Sequence, residues 1–175
     1  HTEWNDHFGK SLLEHARPYT NIGDPHKRLR LGFLSADLGQ HPVGHFLSPL
    51  LACLDRQQYE VVCYSNGARQ DAIRQSLHQN SQLWREVEFL SDEALAAQIR
   101  EDGIDILFDL TGHSRKNRLL VFARKPAPLQ ITWMGYVGTT GLTAIDYVLA
   151  DRYHILPGTE QHFVERVLRM PHGYI

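Results

Sequence analysis

At 175 residues, 42% hydrophobic and 22% charged, the chain has the length and composition of one soluble globular domain with a sizeable core. A formal net charge of −2 gives no basic field for nucleic acid and no long-range attraction to an anionic membrane. No apolar run approaches the ~20 residues of a membrane span.

Residues 1 to about 28 are polar and punctuated by Pro18, Gly23 and Pro25. Within them "WNDHFGKSLLEHA" suits one short helix with Trp4, Phe8 and Leu12 on a single face, and the rest reads as a linker. The chain starts without Met or a signal-peptide core and stops at "MPHGYI", so it is expected to be a piece of a longer protein. From Leu29 strands and helices alternate. "LRLGFLS" is a strand, "VGHFLSPLLACLD" a helix that Pro49 could kink, and "YEVVCYS" the next strand. "RQDAIRQSLHQN" is helical and "LWREVEF" a short strand. "SDEALAAQIREDG" has the clearest helix signals, with Ser91 as N-cap, acids in the first turn and Gly103 as the stop.

"IDILFDL" is apolar at nearly every position, as expected of a central parallel strand covered on both faces. A short helix "NRLLVFA", strands "LQITWMGY" and "AIDYVLAD", and a closing "EQHFVERVLRM" with a short helix and a strand complete the chain. The pattern predicts an α/β fold, an open, mostly parallel Rossmann-like sheet with helices on both faces. The two cysteines, Cys53 in the apolar helix and Cys63 in a strand, suit buried free thiols in a reducing compartment.

In such sheets ligands sit beyond the carboxyl ends of the strands, which singles out the loops "SADLGQHPVGH", "SNGAR", "TGHSRKNR" and "GYVGTTG". The first is not a GxGxxG turn, so it offers no pyrophosphate cradle. It places His41 and His45 at a helix start, where the partial positive charge disfavours an imidazolium and a neutral ring can act as a base. The same pair could be read as metal ligands, but Pro42 and Gly44 interrupt the spacing and no acidic third ligand is evident. After "IDILFDL", Gly112 permits a tight turn, and Thr111, His113 and Ser114 supply donors and acceptors. Thr111 and Ser114 could equally cap the following helix, and Arg115, Lys116 and Arg118 suit a solvated face. "GYVGTTG" has three glycines in seven residues, a shape for close backbone approach to a ligand or a partner lobe, and brings in Gly138 and Thr139. No nucleophile elbow, P-loop or Asp-x-Asp sequence occurs.

Taken in order, "SADLGQHPVGH", "DLTGHS", "KPAPLQ", "GYVGTTG" and "AIDYVLAD" resemble the catalytic region of protein O-GlcNAc transferases, from about Leu29 to the end. Val137 stands where that family usually has Pro, and Lys125 where it has Arg. The resemblance implies that residues 29–175 are the N-terminal catalytic lobe of a two-lobed GT-B glycosyltransferase. Residues 1–28 would join it to an upstream region of tetratricopeptide repeats. Transfer of N-acetylglucosamine from UDP-GlcNAc to Ser or Thr hydroxyls of protein acceptors, with inversion, is the implied activity. A C-terminal lobe of the same protein would bind most of the UDP. The likeness further implies a cytoplasmic enzyme needing no metal or other cofactor, with no nucleic-acid or membrane partner. His41 is the implied catalytic base, in competition with a donor phosphate oxygen. Thr111, Gly112, His113, Ser114, Gly138 and Thr139 would contact the sugar or acceptor. Two alternatives stand beside this: a non-catalytic α/β binding module, and a lobe of another GT-B transferase acting on small molecules.

Overall fold

A computed structural model describes the chain except residues 15, 17, 22, 25 and 69. The end of the first expected helix, one linker proline, the tip of "SNGAR" and the start of "RQDAIRQSLHQN" therefore lie partly outside the described residues. Seven strands form one sheet: β1 (Leu29–Ser35), β2 (Tyr59–Ser65), β3 (Leu83–Glu86), β4 (Ile106–Asp109), β5 (Leu129–Thr132), β6 (Tyr147–Ala150) and β7 (Arg166–Arg169). Their order is β3-β2-β1-β4-β5-β6-β7, and every neighbouring pair is parallel. "IDILFDL" thus supplies the central strand, where covering on both faces explains its nearly continuous apolarity.

Alternate residues of the strands feed two cores. On one face α3 (Pro42–Cys53) and α4 (Ala72–Gln79) bury Val43, Leu47, Leu51 and Leu77 against Phe33, Val61 and Cys63. The Phe33 and Phe108 rings stack there at 4.8 Å, as the register of β1 on β4 requires. On the other face α5 (Asp92–Glu101) and α6 (Leu119–Ala123) bury Leu95, Ile99, Leu119 and Phe122 against Leu34, Val62, Tyr64 and Leu107. Ser91 caps α5 by accepting from the Ala94 amide, and Gly103 follows the helix at φ 64°, a left-handed position that suits glycine. The last stretch forms a short 3-10 turn, Glu160–His162, and then β7.

Several local expectations need correction. The first helix is split: α1 (Thr2–Trp4) and α2 (Lys10–Leu13) flank a π-helical stretch, Asn5–Gly9. Spacing of five rather than four turns Asn5 and Gly9 inward and leaves Phe8 55% exposed, while Trp4, Leu12 and Leu13 pack on the α5–α6 core. Three described residues of the 18–28 stretch are tied to the sheet. Tyr19 donates to the Lys125 carbonyl, and Asn21 and Lys27 both bond the Asp105 carboxylate below the sheet. Pro49 lies on the exposed side of α3, which continues past it to Cys53. Cys63 is buried, which pushes its thiol up to about 12, but Cys53 is exposed; both are free. Lys125 is structural, donating to the Ala144 carbonyl and the Asp146 carboxylate.

Candidate functional site

The chain leaves β1 for α3 on one face and leaves β4 for α6 on the other. Adjacent strands whose connections part to opposite faces open a crevice above their carboxyl ends, the place where open α/β sheets bind ligands. The floor is a hydroxyl pair: Ser35 Oγ, ending β1, lies 3.2 Å from Thr111 Oγ1, and both residues are buried. Ser35 Oγ also accepts from the Asp37 amide, which ties the first loop to the second.

His41 stands on the β1 side of this crevice as the N-cap of α3, with Pro42 at the first helical position. Its Nδ1 accepts the Val43 amide at 3.3 Å, so the neutral ring carries its proton on Nε2, 4.0 Å from Asp37 Oδ1. The ring is half-buried at the loop's outer edge. His45 lies on the exposed side of α3, one turn away. Among the described residues no three His, Cys, Asp or Glu side chains converge as a metal site.

On the β4 side the turn is built around Asp109, which is 1% exposed. Its Oδ1 accepts from the Thr111 and Gly112 amides, and its Oδ2 from Gly112 and from Thr132 Oγ1. Burial pushes this carboxyl up to about 6; the donated bonds pull against that rise and the Glu165 charge adds to it. Gly112 has φ 52°, and a Cβ there would lie 2.2 Å from Tyr136 Cβ. A Cβ at Gly135 would meet the Leu110 carbonyl at 1.7 Å, so the β4 and β5 loops are in backbone contact. Ser114 does not cap α6, and neither does Thr111; Arg118 holds the N-cap position without a side-chain bond, and Asn117 Oδ1 takes the Leu119 amide.

His113 turns toward the third loop. Its Nε2 donates to the Thr140 carbonyl at 2.7 Å, because a carbonyl can only accept. Its ring stacks on His1 at 3.9 Å and meets the rings of Trp4 and Tyr136 edge-on, with His1 Nε2 also 2.8 Å from Tyr136 Oη. The third loop is tied to the far edge of the sheet by Glu165, which is 3% exposed. It accepts from Thr139 Oγ1, the Thr140 amide and Thr140 Oγ1. Gly138 is half-buried against the Tyr136 ring, and Val137 is exposed, its carbonyl accepting from His154 Nε2.

The fold therefore brings Thr111, Gly112, His113 and Ser114 to one turn, with His41 on the adjacent strand's loop and Gly138 and Thr139 on the next. Thr111 and Gly112 are buried in the floor, His113 and Ser114 are half-buried, and Arg115 and Lys116 are exposed. The hydroxyl of Thr139 is committed to Glu165, and it accepts in turn from Gly141 and Val164. Arg118 departs from the expected solvated face: it is partly buried and bonds Asp92, Asn66 and the Val87 and Leu90 carbonyls. Asp109, Tyr136 and Glu165 belong to this arrangement without standing in any of the sequence motifs as a candidate. A lone acid closing an apolar strand was a usable sign for Asp109. Glu165 had no local sign, because its partners lie 25 and 26 residues earlier in the chain.

Comparison with known proteins adds four findings. The family model described as glycosyl transferase family 41 matches residues 7–175. A Petunia hybrida protein named probable UDP-N-acetylglucosamine--peptide N-acetylglucosaminyltransferase SPINDLY is 35% identical over 179 residues, which is all of this chain and 19% of that protein. A Caenorhabditis elegans UDP-N-acetylglucosamine--peptide N-acetylglucosaminyltransferase is 32% identical over 95% of this chain and 14% of its own length. Among solved structures, a mutant of the Thermobaculum terrenum O-GlcNAc transferase superposes with a TM-score of 0.92 at 42% identity, over 99% of this chain and 33% of that one. The chain spans about a fifth of the length of the first of these curated relatives and a third of the solved chain.

Proposed function

Because the chain belongs to glycosyl transferase family 41, we propose that the protein containing it moves N-acetylglucosamine from UDP-GlcNAc to Ser and Thr hydroxyls of proteins, with inversion. The observation that carries this reading is the crevice between the β1 and β4 loops, set in a lobe that superposes closely on an O-GlcNAc transferase. In the reaction the acceptor oxygen bonds to the anomeric carbon, the bond from that carbon to the diphosphate breaks, and UDP leaves with the electron pair. Orienting two bound substrates supplies much of the rate, and donors aimed at the leaving diphosphate supply more. Those donors are assigned to a second, UDP-binding lobe of the same protein, and the upstream region to helical repeats that present acceptors.

His41 is read as the residue that orients the acceptor hydroxyl. As the α3 cap it offers Nε2–H; taking a proton at Nε2 would need the other tautomer and would turn Nδ1–H against the Val43 amide. A donor phosphate oxygen needs no such rearrangement and is assigned the proton. Thr111, Gly112, His113 and Ser114 form the turn beneath the sugar or acceptor, with Gly138 and Thr139 on the neighbouring loop. No metal or other cofactor is assigned, so EDTA should leave turnover unchanged. Two free cysteines support a reducing, cytoplasmic setting.

The test is incubation of the full-length protein with UDP-[14C]GlcNAc and, in parallel, a Ser/Thr peptide and a panel of small hydroxylated acceptors. Label on the peptide supports the reading. Label only on a small molecule would make this a lobe of a different GT-B transferase, and no transfer would favour a binding module.

A further inference from the structure

We propose that Glu165 is a positioning residue for the transfer step: it clamps Thr139 and Thr140 so that the Thr140 carbonyl fixes the tautomer and orientation of His113. This rests on the reading of the crevice as a transferase site.

The geometry is specific. Glu165 directly precedes β7, the outermost strand, yet its carboxylate reaches the loop that follows β5. It has no ion pair among the described residues. A carboxylate taken out of water is tolerated only where donors are aimed at it, and here all three donors belong to two consecutive residues. The clamp extends further. Thr139 Oγ1 accepts from the Gly141 and Val164 amides, and Thr140 Oγ1 accepts from the Leu142 amide at 3.2 Å. Moving the loop would strand several of these groups at once, so the Thr140 carbonyl is held in one direction.

That carbonyl is the partner of His113 Nε2 at 2.7 Å. A fixed acceptor at Nε2 keeps the proton there and leaves Nδ1 as the acceptor of the neutral ring. Stacking on His1 and edge contacts with Trp4 and Tyr136 limit the plane of the ring but do not choose between its nitrogens; the Thr140 carbonyl does. Glu165 thereby acts on the crevice through two residues without lining it, a role that no short motif would reveal.

The experiment compares full-length wild type, Glu165→Gln, His113→Phe and the double variant, in kcat and in KM for UDP-GlcNAc and peptide. Gln keeps the size of Glu165 but places an NH2 against one of the three donors. We expect Glu165→Gln to lower kcat about tenfold with KM for UDP-GlcNAc within about twofold. In the His113→Phe background the same change should alter kcat by less than about twofold, because the route through His113 is already cut. Equal losses in both backgrounds, or none, would overturn the proposal. Thr139→Val, which deletes one hydroxyl of the clamp, should give the same pattern at smaller size and serves if Glu165→Gln folds poorly. Independently of turnover, protein labelled with 15N-histidine should show His113 as the Nε2–H tautomer in wild type and as a mixture in Glu165→Gln. An unchanged His113 signal would overturn the proposal even if the wild type proved not to be a transferase, a failure the wild-type assay reveals by itself.

Discussion

Asp109→Asn replaces a buried carboxylate by an isostere that cannot ionise. The carboxyl is pushed from 3.8 up to about 6, chiefly by burial. At about 1.4 kcal/mol per pH unit, that gap corresponds to about 3 kcal/mol disfavouring the ionised fold. The sign follows from linkage. Between pH ~4 and ~6 the folded state holds the proton more tightly than the unfolded chain, so this group lowers stability as pH rises through that window. The cost is complete above pH ~6 and absent below ~4. Asn can accept the Thr111 and Gly112 amides through Oδ1, and the Thr132 hydroxyl can turn to accept from its NH2, but that NH2 also faces the Gly112 amide, a pH-independent loss of about 1 kcal/mol. The variant should therefore be more stable than wild type by about 2 kcal/mol at pH 7.5 and slightly less stable at pH 4. Urea unfolding of both 175-residue chains across pH 4–8 measures this, and the pairwise difference cancels the titrating groups that are not coupled to Asp109. A difference that does not change with pH would refute the reasoning.

Gly112→Val should abolish transfer, since its Cβ would fall 2.2 Å from Tyr136 Cβ at a φ of 52° that a β-branched residue resists; soluble expression and turnover report it. Lys116→Ala should be close to silent in melting temperature and rate, because it removes only a surface pair with Glu88. His41→Ala should lower kcat about 100-fold with UDP affinity nearly unchanged, and cost about 1 kcal/mol for the lost cap, while His41→Asn should recover the cap but not the rate. A wild-type kcat for His41→Ala would reduce His41 to a loop filler. The 175-residue chain alone should neither transfer label nor bind UDP tightly, and measurable turnover by it would show the division of labour between lobes to be wrong.

The sheet was legible because parallel strands declare themselves locally. "IDILFDL" needed both faces covered, and the Ser91 cap lies three residues from the amide it accepts. Loop positions follow from the alternation of strands and helices, which places Thr111 to Ser114 on a turn at the carboxyl end of an apolar strand. What escaped the sequence was pairing over distance. Arg118 is partly buried because its partners arrive from the Asn66 and Val87–Asp92 segments, and Glu165 matters through residues on another loop. Phe8 was misplaced because a π-helical stretch breaks the spacing from which its face was inferred. Cys53 lies exposed because α3 carries apolar residues on its outer side too, including Phe46 and Leu50, so periodicity could not choose the buried face.

The central claim is that the acceptor hydroxyl meets the donor above the carboxyl ends of β1 and β4. The most direct measurement is photo-crosslinking of the full-length protein, in the presence of UDP, to an acceptor peptide with a benzophenone residue beside its Ser. The account predicts adducts, mapped by mass spectrometry, within residues 37–45 and 110–115. Adducts confined to residues 46–53 of α3 or to the β7 edge would contradict it.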